Sequence, residues 1–300
     1  MKVLPGCLTS LAHQSISSFR ITIVDNGSED GSVEYVREEW PAVHVVALSR
    51  NLGFSGAVNE GIRRSSAELI ALLNNDAEAE PGWLEALDRA AQKYPRAGSF
   101  ASKVLMAGNR RQIESAGDYI KADACGANRG RGEEDGGQYD HEEEVFSASA
   151  AAAMYRHCLF ERIGLFDEDF FAYFEDVDLG FRAQRFGCPC VFVPQARVVH
   201  LGKASRPDDR NWHLRKEFVN STLCQIKNLP TEYFVRNYRT ICLSHLRSLK
   251  GLVKEGGLAV LVASEKDLFR KMPRALVNRA KICRASKGRF DRLAFFLPRP

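Results

Sequence analysis

RITIVDNGSEDGSVEYVREEWPAVHVVALSRNLGFSGAVNEGIRRSSAELIALLNNDAE, residues 20–78, decides the fold. It alternates short β-rich runs (RITIVD, VHVVAL, LIALLN) with helical stretches around Ser32–Trp40 and Gly56–Ser65, and a third helix follows around Trp83–Tyr94. Such alternation predicts βαβ units and an α/β fold with a mainly parallel, Rossmann-like sheet. The runs are continuously apolar rather than alternating, as in strands covered by helices on both faces. Ligands of such sheets sit at the carboxyl ends of strands. Here those ends carry Asp25-Asn26-Gly27, Ser49-Arg50-Asn51 and Asn74-Asn75-Asp76.

Working outward, residues 107–144 turn Gly-rich and charged, with almost nothing suited to a core, and read as a mobile loop or an irregular hairpin. A small-residue strand, VFSASAAAAMYR, follows, then a helix through Phe160, then FFAYFEDVDLGFRAQRFG, and a strand after Pro194 ending at His200. From Trp212 the sequence is helical and basic. The expected organisation is a nucleotide-binding and catalytic domain over residues 1–205 and a basic helical region over 206–300.

With 45% hydrophobic and 27% charged residues, composition excludes wholesale disorder and a membrane-embedded chain. The longest apolar runs, such as Leu258–Ala263, fall far below the roughly 20 residues that span a bilayer. No apolar leader stands at the start, so a cytoplasmic location is expected. The eight cysteines are scattered and match neither a zinc knuckle nor a redox pair, which suits reduced thiols. Charge is uneven: residues 1–200 hold 20 Lys and Arg against 30 Asp and Glu, a balance of −10, while residues 201–300 hold 22 against 8, a balance of +14. A basic helical tail attracts an anionic membrane surface or nucleic acid, and charge alone does not choose. No recognisable nucleic-acid module is present, so nucleic acid is not expected as a partner.

Asp25, closing a strand, suits hydrogen bonds from a ribose or base edge, or equally an Asx turn with Ser28 or Asp30 capping the next helix. Asn74, Asn75 and Asp76 end an apolar run with converging oxygens, donors suited to Mg²⁺ or Mn²⁺ on a diphosphate; the alternative is a capped turn before Pro81. Glu175, Asp176 and Asp178 gather at a helix start, where the dipole favours acids. The preceding FFAYF would partly bury the first two and leave one poised as a base. Asp178 and Arg182, four apart, read as a structural ion pair. His200 ends a strand and is a ligand only if a metal site lies beside it.

Taken in order and spacing, VDNGSEDGS, LSRNLGFSGAVNEGI, LLNNDAE, FFAYFEDVDLGFR and VVHLGKAS resemble family 2 glycosyltransferases, especially the bacterial rhamnosyltransferase-like branch, over roughly residues 4–230. The resemblance implies a GT-A fold binding a UDP- or dTDP-sugar. It implies that Asp25 contacts the nucleoside, with Asn26 beside it. Asn51, Gly53, Phe54 and Asn59 match a segment flanking the donor. Asp76 matches the last acid of a DxD-type metal motif, with Asn74 in place of the first and Asn75 between. Asp176 matches the catalytic base, Glu175 an orienting acid, and His200 a histidine joining the metal or diphosphate. The implied reaction is a single displacement that inverts the anomeric centre, with Mg²⁺ or Mn²⁺ as cofactor and a glycan or polyprenyl-linked acceptor. The basic tail would then either lie on anionic headgroups at the inner face of the cytoplasmic membrane, with Leu276, Val277 and Ile282 facing inward, or present a solvated basic face.

One departure stands out. Relatives of this kind open with a strand inside the sheet, whereas this chain starts in the following helix. The expectation is a start about 15–25 residues upstream, room for one strand and its turn, or an impaired product. Two other readings compete: a sugar nucleotidyltransferase, and an inactive nucleotide-binding module.

Overall fold

The computed structural model describes residues 2–202, 209–286 and 291–298. The 205/206 boundary and Lys203–Ser205 of the VVHLGKAS string fall outside them. A first helix, α1 (Leu4–Ala12), leads into β1 (Thr22–Asp25), α2 (Ser32–Glu39), β2 (His44–Ala47), α3 (Gly53–Arg64), β3 (Leu69–Leu73), β4 (Ala77–Ala79) and α4 (Trp83–Lys93). There follow β5 (Ser99–Met106), β6 (Asn109–Ala116), β7 (Asp118–Ile120), β8 (Gly126–Asn128), β9 (Glu143–Val145), β10 (Ala152–Arg156) and α5 (His157–Ile163). The chain ends with α6 (Glu175–Arg185), β11 (Cys190–His200), α7 (Arg210–Asn228), α8 (Thr231–Ala285) and α9 (Asp291–Phe296).

The main sheet runs β3-β10-β5-β11-β4, with β6 on β5 and β9 on β11. Strands β3, β5 and β11 point one way, with β10 inserted against them between β3 and β5. The short flanking strands β4, β6 and β9 are antiparallel. β1 and β2 pair parallel as a separate ribbon. Burial explains the continuously apolar strands. Phe100 and Val104 of β5 and Val191, Val193 and Val198 of β11 face Trp83, Leu87 and Ala90 of α4. The alternate residues Ala101, Leu105, Phe192 and Val199 face Phe160 and Leu179 on the other side. Pro194, which has no N–H to give to a ladder, sits where the β5–β11 register shifts between Val193 and Arg197.

Between the ribbon and the main sheet the fold is open. β1 pairs only with β2, and β3 only with β10, among the described residues. Leu69–Leu73, an all-apolar strand, is therefore only half buried along its whole length. Residues 107–144, expected as a loop or irregular hairpin, fold into linked hairpins carrying β6 to β9. What holds them is a fully buried Lys103, whose ammonium reaches Asp135 at 2.9 Å and Asp140 at 2.7 Å. Arg129 adds a stack on Tyr139 and Phe192, at 4.7 and 5.0 Å from the ring centres.

The C-terminal helices are joined to the sheet-bearing half by a shared core in which Phe170 and Phe181 meet Cys224, Ile241, Leu293 and Leu297. α8 bends at Gly257, whose φ of 77° breaks it into two arms. Of the residues expected to face a membrane, Ile282 is buried against the protein, while Leu276 and Val277 are about half exposed, at 50% and 53%. Among the described residues no helix is long and apolar enough to cross a membrane.

Candidate active site

The loops after β1 and β2 are tied together by asparagines. Asn26 Nδ2 donates to Asn51 Oδ1 at 2.9 Å and to the Gly53 carbonyl at 3.0 Å, and its Oδ1 accepts from Leu52 N–H at 2.8 Å. Asp25 Oδ2 accepts the N–H groups of Gly27 and Ser28, at 3.2 and 3.0 Å, so the Asx turn forms at the strand end. Gly53, at φ 76°, opens α3 where a Cβ would lie 2.5 Å from the Phe171 carbonyl, so no other residue fits that approach. Phe54 packs edge-on to Phe166. Asn59 stands apart: fully buried, it clamps Phe166 through both its amide atoms and donates to Glu168, and it does not line the cleft.

β11 delivers the histidine. Its last residue pairs with Ala77 of β4, so the imidazole arrives beside Asp76. His200 Nε2 lies 3.1 Å from Asp76 Oδ1 and Nδ1 lies 2.9 Å from Glu114 Oε2, with Asn74 Nδ2 3.4 Å away. Burial lowers the basicity of the ring, but the two carboxylates outweigh it and raise its pKa to about 9. Glu114, on β6, was not singled out from the sequence because nothing local marks it. Asp76 offers a hard oxygen suited to Mg²⁺ or Mn²⁺, and His200 would join it as a ligand only in its neutral form, with substrate oxygens and water completing the shell. Among the described residues no group of three or more His, Cys, Asp or Glu is arranged to hold a metal by itself.

Across the cleft, three left-handed residues within a four-residue segment precede α6. Phe171, Tyr173 and Phe174 adopt left-handed φ values of 65°, 71° and 67°, each costing on the order of 1 kcal/mol or more. Buried Asn220 of α7 holds this segment, its Nδ2 lying 2.8–2.9 Å from the carbonyls of Phe170, Ala172 and Tyr173. The acids then fall at the first turn of α6. Asp176 accepts N–H groups from Ala150 at 3.2 Å and Val177 at 2.8 Å. Burial nevertheless raises its pKa above the ordinary carboxylate range. Glu175 is pushed well up by burial and by the charges of Asp176 and Asp178, and its Oε2 is buried with no hydrogen-bond partner among the described residues. Asp178 is salt-bridged to Arg182 at 2.9 Å and to Lys227 at 2.8 Å, which makes it structural.

A second residue escaped sequence reading. Asp118, buried and hydrogen-bonded by Ser147 Oγ and Asn128 Nδ2, is raised well above its usual pKa by burial and by the neighbouring Asp176 charge. It comes from the charged Gly-rich stretch, where one acid among many carries no signal.

Asp25, Asn26, Asn51, Gly53, Phe54, Asn74, Asn75, Asp76, Asp118, Glu175, Asp176 and His200 all line one cavity of about 2710 Å³. That exceeds the roughly 300–1,000 Å³ of ordinary ligand clefts, because the cleft runs into the opening between β1 and β3. Strand-end polar residues on one side thus face buried carboxyls on the other, the disposition a group-transfer enzyme needs.

The chain is similar to known proteins in sequence and in fold. Residues 1–164 match glycosyl transferase family 2. N-acetylglucosaminyl-diphospho-decaprenol L-rhamnosyltransferase of Mycobacterium tuberculosis is 28% identical over 233 residues, covering 69% of this chain and 74% of that protein. The structure of GalNAc-T7 with UDP, GalNAc and Mn²⁺ superposes with a TM-score of 0.57 at 15% identity, covering 87% of this chain and 55% of that one. Mannosyltransferase PcManGT from Pyrobaculum calidifontis in complex with GDP-Man and Mn²⁺ gives 0.53 at 13% identity, covering 97% and 84%. Because the match runs through more than half the sequence and these folds superpose, the chain belongs to glycosyl transferase family 2 and has a GT-A fold.

Proposed function

We propose that the protein moves a sugar, with rhamnose as the leading candidate, from a UDP- or dTDP-sugar to a hydroxyl of a glycan or polyprenyl-linked acceptor in cell-surface polysaccharide synthesis. What carries the reading is that Asp76, His200 and Asp176, far apart in sequence, line a single cavity. The relative from M. tuberculosis, named for a diphospho-decaprenol acceptor and L-rhamnose, supports the substrate class.

Asp176, with its raised pKa, takes the proton from the acceptor hydroxyl, and that oxygen attacks the anomeric carbon opposite the nucleotide, inverting it. Glu175, its carboxyl pushed up by burial and by the neighbouring Asp176 charge, lies beside it and orients the acceptor. Asp25, Asn26, Asn51, Gly53, Phe54, Asn74 and Asn75 flank the donor. Asn59 braces α3 behind them. Asp76 and His200 would hold Mg²⁺ or Mn²⁺, which when bound offsets charge growing on the leaving diphosphate. The enzyme works at the cytoplasmic face of the membrane, held peripherally through its basic C-terminal helices. Residues 1–205 form the donor and catalytic domain and the remaining helices an extension of it.

The test is a donor screen by nucleotide release, with Mn²⁺ or Mg²⁺ against chelator, on wild type and Asp176→Asn. Metal-dependent release reduced about a hundredfold or more by the substitution is expected; equal release from both proteins ends the assignment. The opening between β1 and β3 favours one second reading, a nucleotide-binding module without turnover, for which the same screen yields nucleotide affinity and no release.

A further inference from the structure

One buried ammonium ties together both ends of the loop that delivers the acids. Residues 164–174 connect α5 to α6. Within them the Phe170 N–H bonds to the Asp167 carbonyl at 3.2 Å, Phe171 N–H to Glu168 at 3.1 Å and Ala172 N–H to Phe170 at 2.8 Å, turns that no helix or strand supports. Lys227 of α7, 3% exposed, reaches Asp167 Oδ2 near the start of this loop at 2.6 Å and Asp178 Oδ1 beyond its end at 2.8 Å. The same ammonium lies 5.6 Å from the ring centre of Phe170, a residue between the two.

Asp178 does not need this lysine to balance its charge. Arg182 Nε and Nη2 each stand 2.9 Å from its Oδ2, and Asn228 Nδ2 stands 2.8 Å from its Oδ1. What Lys227 adds is the tie to Asp167. Taking an ammonium out of water is costly, and a buried ion pair of small net stability is best accounted for by the geometry it fixes. The other ion pair on this loop, Arg274 with Asp169 at 2.7 Å, has an arginine side chain 71% exposed, and surface pairs of that kind fix little. Asn220 fixes the crest of the loop and leaves its feet to Lys227. On its far side the loop meets the donor half: the Ser55 N–H bonds to the Phe171 carbonyl at 3.2 Å, and Glu168 accepts from Asn59 and Arg63, each at 3.0 Å. A loop loose at its feet would shift Phe174, and with it the first turn of α6 that carries Glu175 and Asp176.

We propose that Lys227 and Asp167 are positioning residues for the transfer step: their ion pair closes the loop between Asp167 and Asp178 and so holds Asp176 and Glu175 at the cavity. Neither residue lines the cavity, so both act through the acids rather than on substrate. The inference rests on the reading of Asp176 as the base. Closure of the loop can be measured without turnover, which separates the failure of one from the failure of the other.

Asp167→Asn is the decisive variant. It leaves Lys227 paired with Asp178 and keeps the Oδ1 that accepts the Asp169 N–H at 3.1 Å, while an amide NH₂ replaces the oxygen that faces the ammonium. The full chain is assayed by nucleotide release from a panel of UDP- and dTDP-sugars with Mn²⁺, and by amide hydrogen exchange without substrate. Asp167→Asn should lower kcat about tenfold or more, as small displacements of a reacting group do, with donor KM moving far less. The amides of Phe170–Ala172 should exchange faster in the variant while those of Ser99–Met106 keep their rates. Because Lys227→Met breaks the same bond, the double variant should lose no more kcat than the worse single one. Should Lys227→Met fail to fold, Asp167→Asn and its exchange pattern decide alone. Wild-type kcat in Asp167→Asn, unchanged exchange at Phe170–Ala172, a donor KM that moves as much as kcat, or losses that add in the double variant each overturn the proposal. A wild type that releases no nucleotide from any donor sinks the transferase reading instead, and exchange then decides whether the pair closes the loop.

Discussion

Single side chains set the chemistry of this cleft. Asp176 has its pKa raised by burial, so the acid limb of kcat/KM should lie above the ordinary aspartate range. Asp176→Asn should abolish that limb while leaving the affinity for free nucleotide unchanged, as read by calorimetry. Glu114 acts one bond further out: its carboxylate on Nδ1 fixes the ring whose Nε2 faces Asp76. Glu114→Gln should weaken Mn²⁺ binding by about tenfold or more, measured by titration of free Mn²⁺ with nucleotide present; unchanged affinity would remove Glu114 from the site. Residues of this kind divide sharply in how legible they were. Asp76, His200 and Asp176 are each announced by an abrupt change from apolar to polar at an element end. Glu114 and Asp118 sit in a stretch already crowded with acids, and only the β5–β6 register and the β7 pairing give them partners.

Elements place these residues by register and by burial of charge. The helix α6 is fixed at its first turns by Asp178, which meets Arg182 and Lys227 as well as Asn228 Nδ2 at 2.8 Å. Asp178→Asn should cost about 3 kcal/mol by chemical denaturation, since buried Arg182 then loses its carboxylate partner while Lys227 keeps Asp167 at 2.6 Å. Those cations hold its carboxyl below the ordinary aspartate range against the effect of burial. The stability it contributes is therefore complete above the unfolded-state aspartate range and lost as pH falls through the lower folded-state pKa. Asn220→Ala removes the clamp on the left-handed segment before α6 and should lower kcat more than the donor KM, because the donor loops hang on α3 rather than α7. The alternation of strands and helices was legible from residues 20–94 because each run is apolar and ends in turn chemistry. The antiparallel β10 and the folding of residues 107–144 were not, since a strand's direction depends on which neighbour it finds, and Lys103 looks like any surface lysine until Asp135 and Asp140 surround it.

At the scale of the whole molecule, an acidic sheet-bearing half and a basic helical half both line the cleft, and ligands that bridge them should stabilise both. UDP with Mn²⁺ present should raise the melting temperature in a concentration-dependent way, by mass action on the folded state, and a flat response would argue against donor binding. The opening flanked by β1 and β3 has a further consequence for motion. A strand hydrogen-bonded on one side only holds half its amides by solvent-accessible contacts, so the molecule should not breathe uniformly. Amides of Thr22–Asp25 and Leu69–Leu73 should surrender deuterium within the earliest exchange class, while those of Ser99–Met106 and Cys190–His200, sandwiched on both edges, should wait for global opening.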